Sequence, residues 1–138
     1  MGVPRLRSVV LDTPDARGLA EFYRQMFGLA YRPGDEPPAP GEDDERGRDW
    51  VVLVGDGGFR LAFQQEPRLT PTTWPDPAVP QQMHLDTAVS SVAELEEQHE
   101  RALSLGATLR FDRTDDPEEP LRVYADPAGH TFCVLVQA

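Results

Sequence analysis

Apolar positions recur along this chain in two rhythms, and the succession of rhythms occurs twice. "LRSVVLD" (residues 6–12) is apolar and β-branched and predicts a strand. Thr13 follows as a helix N-cap and Pro14 suits the first helical position. Leu19, Phe22, Tyr23, Met26 and Phe27 then fall three and four residues apart, the spacing of a helix with one buried face, and Gly28 is placed to end it. "LAYR" (29–32) predicts a short strand. "DWVVLVG" (49–55) and "FRLAFQQ" (59–65) flank "DGG" and predict a β-hairpin.

The same order returns after a proline-rich stretch. "QMHLDTAV" (82–89) predicts a strand, and Ser91 with Glu94 has the S-x-x-E form of a capping box. The next helix carries Val92, Leu95, His99 and Ala102 on one stripe and ends near Gly106. "ATLRF" (107–111) predicts a strand. "LRVYAD" (121–126) and "HTFCVLVQ" (130–137) predict a second hairpin around "DPAG". Both halves read strand–helix–strand–strand–strand, with an acidic loop before each hairpin, which points to internal duplication. The triplet "LDT" occurs at 11–13 and again at 85–87, but matching the two would pair His84 with Val10. Counting back from the helix starts pairs His84 with Ser8 instead.

The connecting segments have their own composition. "RPGDEPPAPGEDDERGR" (32–48) is rich in Pro, Gly and acid, and its contiguous carboxylates read as a solvated loop rather than a cation site. Residues 66–80 hold too many prolines to continue a sheet and read as an extended linker, with Trp74 anchored on a core surface. The expected layout is a single domain with module one at 4–66, a linker at 67–80 and module two at 81–138.

With 138 residues the chain is long enough to fold without a staple. Its single cysteine, Cys133, excludes an intramolecular disulfide and any multi-cysteine zinc site. A formal net charge of -11 argues against nucleic acid as a partner and favours solubility, with attraction of a cationic ligand as the sharper reading. No apolar run approaches the ~20 residues of a membrane span, and the N-terminal residues lack the apolar core of a signal peptide. A cytoplasmic protein that does not enter membranes is therefore expected.

Candidate chemistry is sparse. No G-x-S-x-G, P-loop or G-x-G-x-x-G occurs, so acyl transfer and nucleotide binding have no support. His84 reads as a hydrogen-bonded polar residue lining a cavity, with acid–base catalysis as the sharper alternative. Cys133 lies in "TFCVLV" and reads as a small hydrophobe. His130 reads as a turn cap, and His99 as a partly buried packing residue. Trp50, Phe63 and Tyr124 are candidates for aromatic cavity walls or for core.

Three stretches together carry a family resemblance: "LRSVVLDTPDARGLAEFYRQMFGL", "PTTWPDPAVPQQMHLD", and "ALSLGATL" followed by "VYADPAGHTFCVLV". In order and at these spacings, they resemble the vicinal oxygen chelate superfamily, which groups glyoxalase-like, bleomycin-resistance and dioxygenase domains. The resemblance implies an α+β fold of two βαβββ modules whose sheets curl into an incomplete barrel around a pocket. It also implies a homodimer and a small-molecule ligand.

In metal-dependent members four inward positions hold a divalent cation. By the resemblance, the first lies seven residues before the residue opening each helix, which gives Ser8 and His84. The others lie shortly after each last hairpin turn, which gives Ala62 and Cys133. Of these four, only His84 is a common ligand in its usual form, so no cofactor is expected. A shifted divalent-metal site using Glu66 or Asp86 is the alternative, with Asp86 on the same strand face as His84. The expected pocket comprises Ser8, Ala62, His84, Cys133, Trp50 and Tyr124, with His84 as the best catalytic candidate. The leading expectation is a small-molecule-binding glyoxalase-like protein with a degenerate metal site. A metal-dependent lyase, isomerase or dioxygenase, and a drug-sequestering resistance protein, are the alternatives.

Overall fold

The computed structural model describes residues 2–137. Two compact units divide the chain, Met1–Leu69 and Thr70–Ala138, and residues 70–80 belong to the second. Each unit is a βαβββ module, so the fold is α+β.

In the first module β1 (Val9–Thr13) leads into α1 (Ala16–Phe27), then β2 (Ala30–Tyr31), β3 (Trp50–Val54) and β4 (Arg60–Gln65). The sheet order is β1-β4-β3-β2, with β1 parallel to β4 and the other pairs antiparallel. The cap of α1 is Asp15, two residues beyond the expected Thr13: its carboxylate accepts from the Gly18 N–H at 2.9 Å. The Thr13 hydroxyl instead accepts from the Asp15 N–H and shapes the turn before the cap. Gly28 ends the helix in the left-handed region, at φ 66°. The apolar stripe of α1 packs onto the sheet, and the Tyr23 and Phe63 rings meet at 5.5 Å. Removing rings of this size from water is worth roughly 2–3 kcal/mol each.

The second module repeats the plan with β5 (His84–Val89), α2 (Val92–Leu105), β6 (Thr108–Asp112), β7 (Leu121–Ala125) and β8 (Thr131–Val136). Its order is β5-β8-β7-β6, again with the first strand parallel to the last. Neither four-stranded sheet closes on itself. Ser91 caps α2 by accepting from the Glu94 N–H, while the Glu94 carboxylate reaches back one residue further than expected, to the Ser90 N–H and hydroxyl. Leu95 and Ala102 are buried on the helix stripe, whereas Val92 stands exposed at its first turn.

The 32–48 loop is not the freely solvated segment its composition suggests. Asp35 is fully buried and ion-paired with Arg32 at 2.9 Å and Arg46 at 3.1 Å. Arg17 on α1 holds Asp44 with two bonds of 2.9 and 3.0 Å and donates to the Asp35 carbonyl. One buried acid and one helix arginine thus tie the loop to the module.

Candidate functional site

Strand register fixes which residues share a face. In the second sheet His84, Asp86 and Ala88 alternate with Leu85, Thr87 and Val89 along β5, and the second set lies toward α2. Asp86 stands opposite Cys133, Cys133 opposite Val123, and Val123 opposite Phe111. These four side chains form one row across the sheet, on the face turned away from α2.

The polar end of this row is open. His84 Nε2 lies 3.1 Å from Asp86 Oδ1, and both side chains are about half exposed or more, at 45% and 64%. A carboxylate oxygen accepts, so Nε2 is the ring nitrogen that donates in this contact and the Asp86 carboxylate keeps further acceptor capacity. A ligand meeting this pair finds acceptors, and groups bearing N–H or O–H fit it.

The middle of the row is apolar. Cys133 clusters with Leu121 and Val123, with Trp74 and Leu135 packed against them. Burial, helped by the nearby Asp86 charge, pushes the Cys133 thiol up to about 11. It is a thiol at neutral pH, neither a nucleophile nor a ready ligand.

Tyr124 stands on the opposite face from Cys133. It stacks on Phe132 at 5.3 Å, and its hydroxyl lies 2.8 Å from His99 Nδ1 on α2. Burial pushes the phenol up to about 12. Tyr124 therefore belongs to the helix-side core rather than to the row carrying His84 and Cys133. His99 is its hydrogen-bonding partner. At the β7–β8 turn the Asp126 carboxylate accepts from the Ala128 and His130 N–H groups.

The first module shows the corresponding face with different chemistry. Val10, Ala62 and Val52 form a row matching Asp86–Cys133–Val123. Ala62 is buried and Val10 is 38% exposed. Ser8 lies exposed, one residue before β1. Trp50 is half-buried on the same sheet face as Ala62, while Phe63 points toward α1. The Glu66 carboxylate accepts from the Arg68 N–H, and the Glu66 N–H donates to Thr13. Register thus pairs Asp86 with Val10 between the modules and His84 with Ser8, as the two helix caps do.

This donor set does not fit a resident divalent metal. Ala62 offers no donor, Cys133 is held as a thiol, and His84 with Asp86 falls short of the three protein ligands of an open catalytic site. Among the described residues no group of three or more His, Cys, Asp or Glu side chains could hold a metal ion.

The sequence matches the glyoxalase-like domain family over residues 8–135. The chain belongs to this family. Solved structures share the fold at low identity. A glyoxalase/bleomycin resistance protein/dioxygenase family enzyme from Burkholderia phytofirmans PsJN is 17% identical, with a TM-score of 0.69 over 96% of this chain and 98% of that one. The fosfomycin resistance protein FosX from Listeria monocytogenes, as a variant complexed with Mn(II) and 1S,2S-dihydroxypropylphosphonic acid, is 16% identical, with a TM-score of 0.68 over 99% and 95%. The hypothetical protein SA1046 from S. aureus is also 16% identical, with a TM-score of 0.68 over 99% and 100%. The comparison with curated proteins found no relative. These likenesses place the chain in the vicinal oxygen chelate fold and leave its activity to its own residues. No helix among the described residues is long and apolar enough to cross a membrane.

Proposed function

We propose that this glyoxalase-like protein binds a small organic molecule on the face of β5 and β8 turned away from α2 and does so without a resident metal. The observation that carries this reading is the His84–Asp86 pair, 3.1 Å apart and open to solvent, beside a Cys133 whose thiol stays protonated. Asp86 orients the imidazole, and the pair offers acceptors to hydrogen-bond donors on the ligand. A formal charge of -11 favours cationic ligands over anionic ones. Should the ligand carry an acidic proton, the His84 imidazole is the group placed to take it.

The metal-dependent alternative draws on FosX, whose structure contains Mn(II). It would need donors beyond His84 and Asp86. Family likeness also supports a homodimer, which light scattering on the purified protein would test, and cell fractionation would test the expected cytoplasmic location.

The deciding experiment combines elemental analysis with thermal shift. Protein purified without chelator is expected to hold far less than stoichiometric metal. Stoichiometric Mn or Zn that disappears in His84→Ala would overturn the metal-free reading. A panel of bleomycin, fosfomycin with and without Mn(II), and glutathione adducts then tests ligand class. A ligand at 100 times its Kd adds about 2.7 kcal/mol to stability. His84→Ala and Asp86→Asn are expected to abolish any such shift, and a shift that survives both would remove the pair from the site.

A further inference from the structure

Residues 70–81 run over the second sheet as a framed strap. They include four prolines, Pro71, Pro75, Pro77 and Pro80. The frame is made within the strap. The Thr73 N–H donates to the Val79 carbonyl at 2.9 Å, and the Val79 N–H donates back to the Thr73 hydroxyl at 2.8 Å. The Thr72 hydroxyl donates to the same Val79 carbonyl and accepts from the Trp74 N–H. The Ala78 N–H donates to the Asp76 carboxylate. Prolines and these bonds preset the backbone, so the strap holds its shape as one piece.

Three contacts seat it on the sheet. Pro71 sits so close to Gly129 that a Cβ there would come within 2.5 Å of the proline Cβ. Gln81 Oε1 accepts from the Thr131 hydroxyl. Trp74 packs on Leu121, Val123 and Cys133 and meets the Phe111 ring edge-on at 5.8 Å. The Trp74 indole therefore covers the apolar part of the row whose polar end is Asp86, with His84 two residues away on the same strand face. Neighbouring strands stand about 4.8 Å apart, so a molecule roughly 5–10 Å long that engages Asp86 and extends along the row meets Trp74.

We infer that the strap is a gate: it lifts from the β7–β8 face as a unit, and the flat apolar body of the ligand takes the place of the Trp74 indole while its polar head meets His84 and Asp86. The ligand's position rests on the recognition pair proposed above, whereas opening of the strap can be measured with no ligand present.

Cys133 is the reporter, because it is the chain's one cysteine and lies under Trp74. A thiol buried this way reacts only when the cover opens. Labelling with 5,5′-dithiobis(2-nitrobenzoate) is followed in native buffer and in low urea. Through a local opening, the wild-type rate stays nearly flat with urea below the unfolding transition. Trp74→Ala is expected to label about tenfold faster or more, and Thr73→Val, which loosens the frame without touching the cluster, about threefold faster. Excess Nile red, a flat neutral dye, is expected to slow labelling of Trp74→Ala by about fivefold by occupying the vacated patch.

A wild-type rate with the full urea dependence of global unfolding overturns the gate. So does an unchanged rate in Thr73→Val, which decides the matter if Trp74→Ala fails to fold. Absence of Nile red protection in a folded Trp74→Ala removes the claim that the ligand replaces the indole. A strap that opens as expected in a protein whose ligand shifts ignore His84→Ala leaves the gate standing and overturns the recognition pair.

Discussion

The Val52 N–H donates to the Asp35 carboxylate at 2.9 Å, and both residues are buried. The last rung of the β2–β3 edge is the Arg32 N–H on the Val52 carbonyl. Beyond it the chain turns away at Pro33, and the Asp35 side chain supplies the acceptor that a longer strand would have provided. Asp35→Ala leaves a buried N–H unpaired and strips Arg32 and Arg46 of their shared partner. It is expected to cost about 2–4 kcal/mol in a urea titration. Asp35→Asn keeps an acceptor for Val52 and is expected to cost about half as much.

Stability should fall in acid for a specific reason. Bonds from Arg24, then Gln25 and Tyr31, hold Glu21 at about 2, below its ordinary 4.5. Bonds from Thr114, then Arg122, hold Asp112 at about 2, below 3.8. The unfolded chain takes up these protons first, so the stabilisation is complete above about pH 4.5 and is lost as pH falls toward 2. Urea midpoints measured from pH 6 down to 2.5 should fall through this window. Glu21→Gln and Asp112→Asn should each flatten the fall, and an unchanged slope in both would rule these groups out as its source.

Gly129 and Gly58 both have left-handed backbones, with φ of 97° and 81°. Gly58 has nothing within 4 Å of the place where a Cβ would sit, whereas Gly129 has Pro71. Gly58→Ala is expected to cost about 1–2 kcal/mol, the conformational penalty alone. Gly129→Ala adds a collision with a rigid proline ring, for a total of about 3 kcal/mol, and should also speed Cys133 labelling by unseating the strap. Equal costs at the two positions would mean that Pro71 gives way freely.

The His84–Asp86 pair is exposed enough that its removal should be nearly silent in the ligand-free protein. His84→Ala and Asp86→Asn are each expected to shift stability by no more than about 0.5 kcal/mol. Chelator is expected to leave the Tm of the wild type unchanged. A large loss of stability in either variant, or a lowered Tm with chelator, would mean that the pair holds a structural element or a metal.

Most of the fold was legible because hydrophobic spacing is a local signal. The stripe from Leu19 to Phe27, the "DGG" turn and the Gly28 and Gly106 helix ends all stand where periodicity puts them. The Ser8–His84 equivalence could be counted from the helix starts, whereas the "LDT" triplets stand two residues out of register. What escaped was long-range pairing. Nothing near Asp35 in sequence marks it as buried among acidic neighbours, because Asp35 lies in a loop and its partner Val52 lies on β3. Tyr124 alternates with Val123 along β7, and only register shows that it faces His99. Trp74 could be read as an anchor, but the surface it covers is assembled from β6, β7 and β8.

The parallel pairing that closes each module also orders its assembly in time. β1 meets β4, and β5 meets β8, across roughly fifty residues of chain, whereas the β3–β4 and β7–β8 hairpins are local. Contacts between distant residues carry the larger loop-closure cost and form late. On a ribosome, β1 waits as an unpaired ribbon until Gln65 has been made, and β5 waits in turn for Val136. Each module's opening strand is thus the first part synthesised and the last part locked, and its exposed backbone in the interval is the point at which the nascent chain is most open to mispairing.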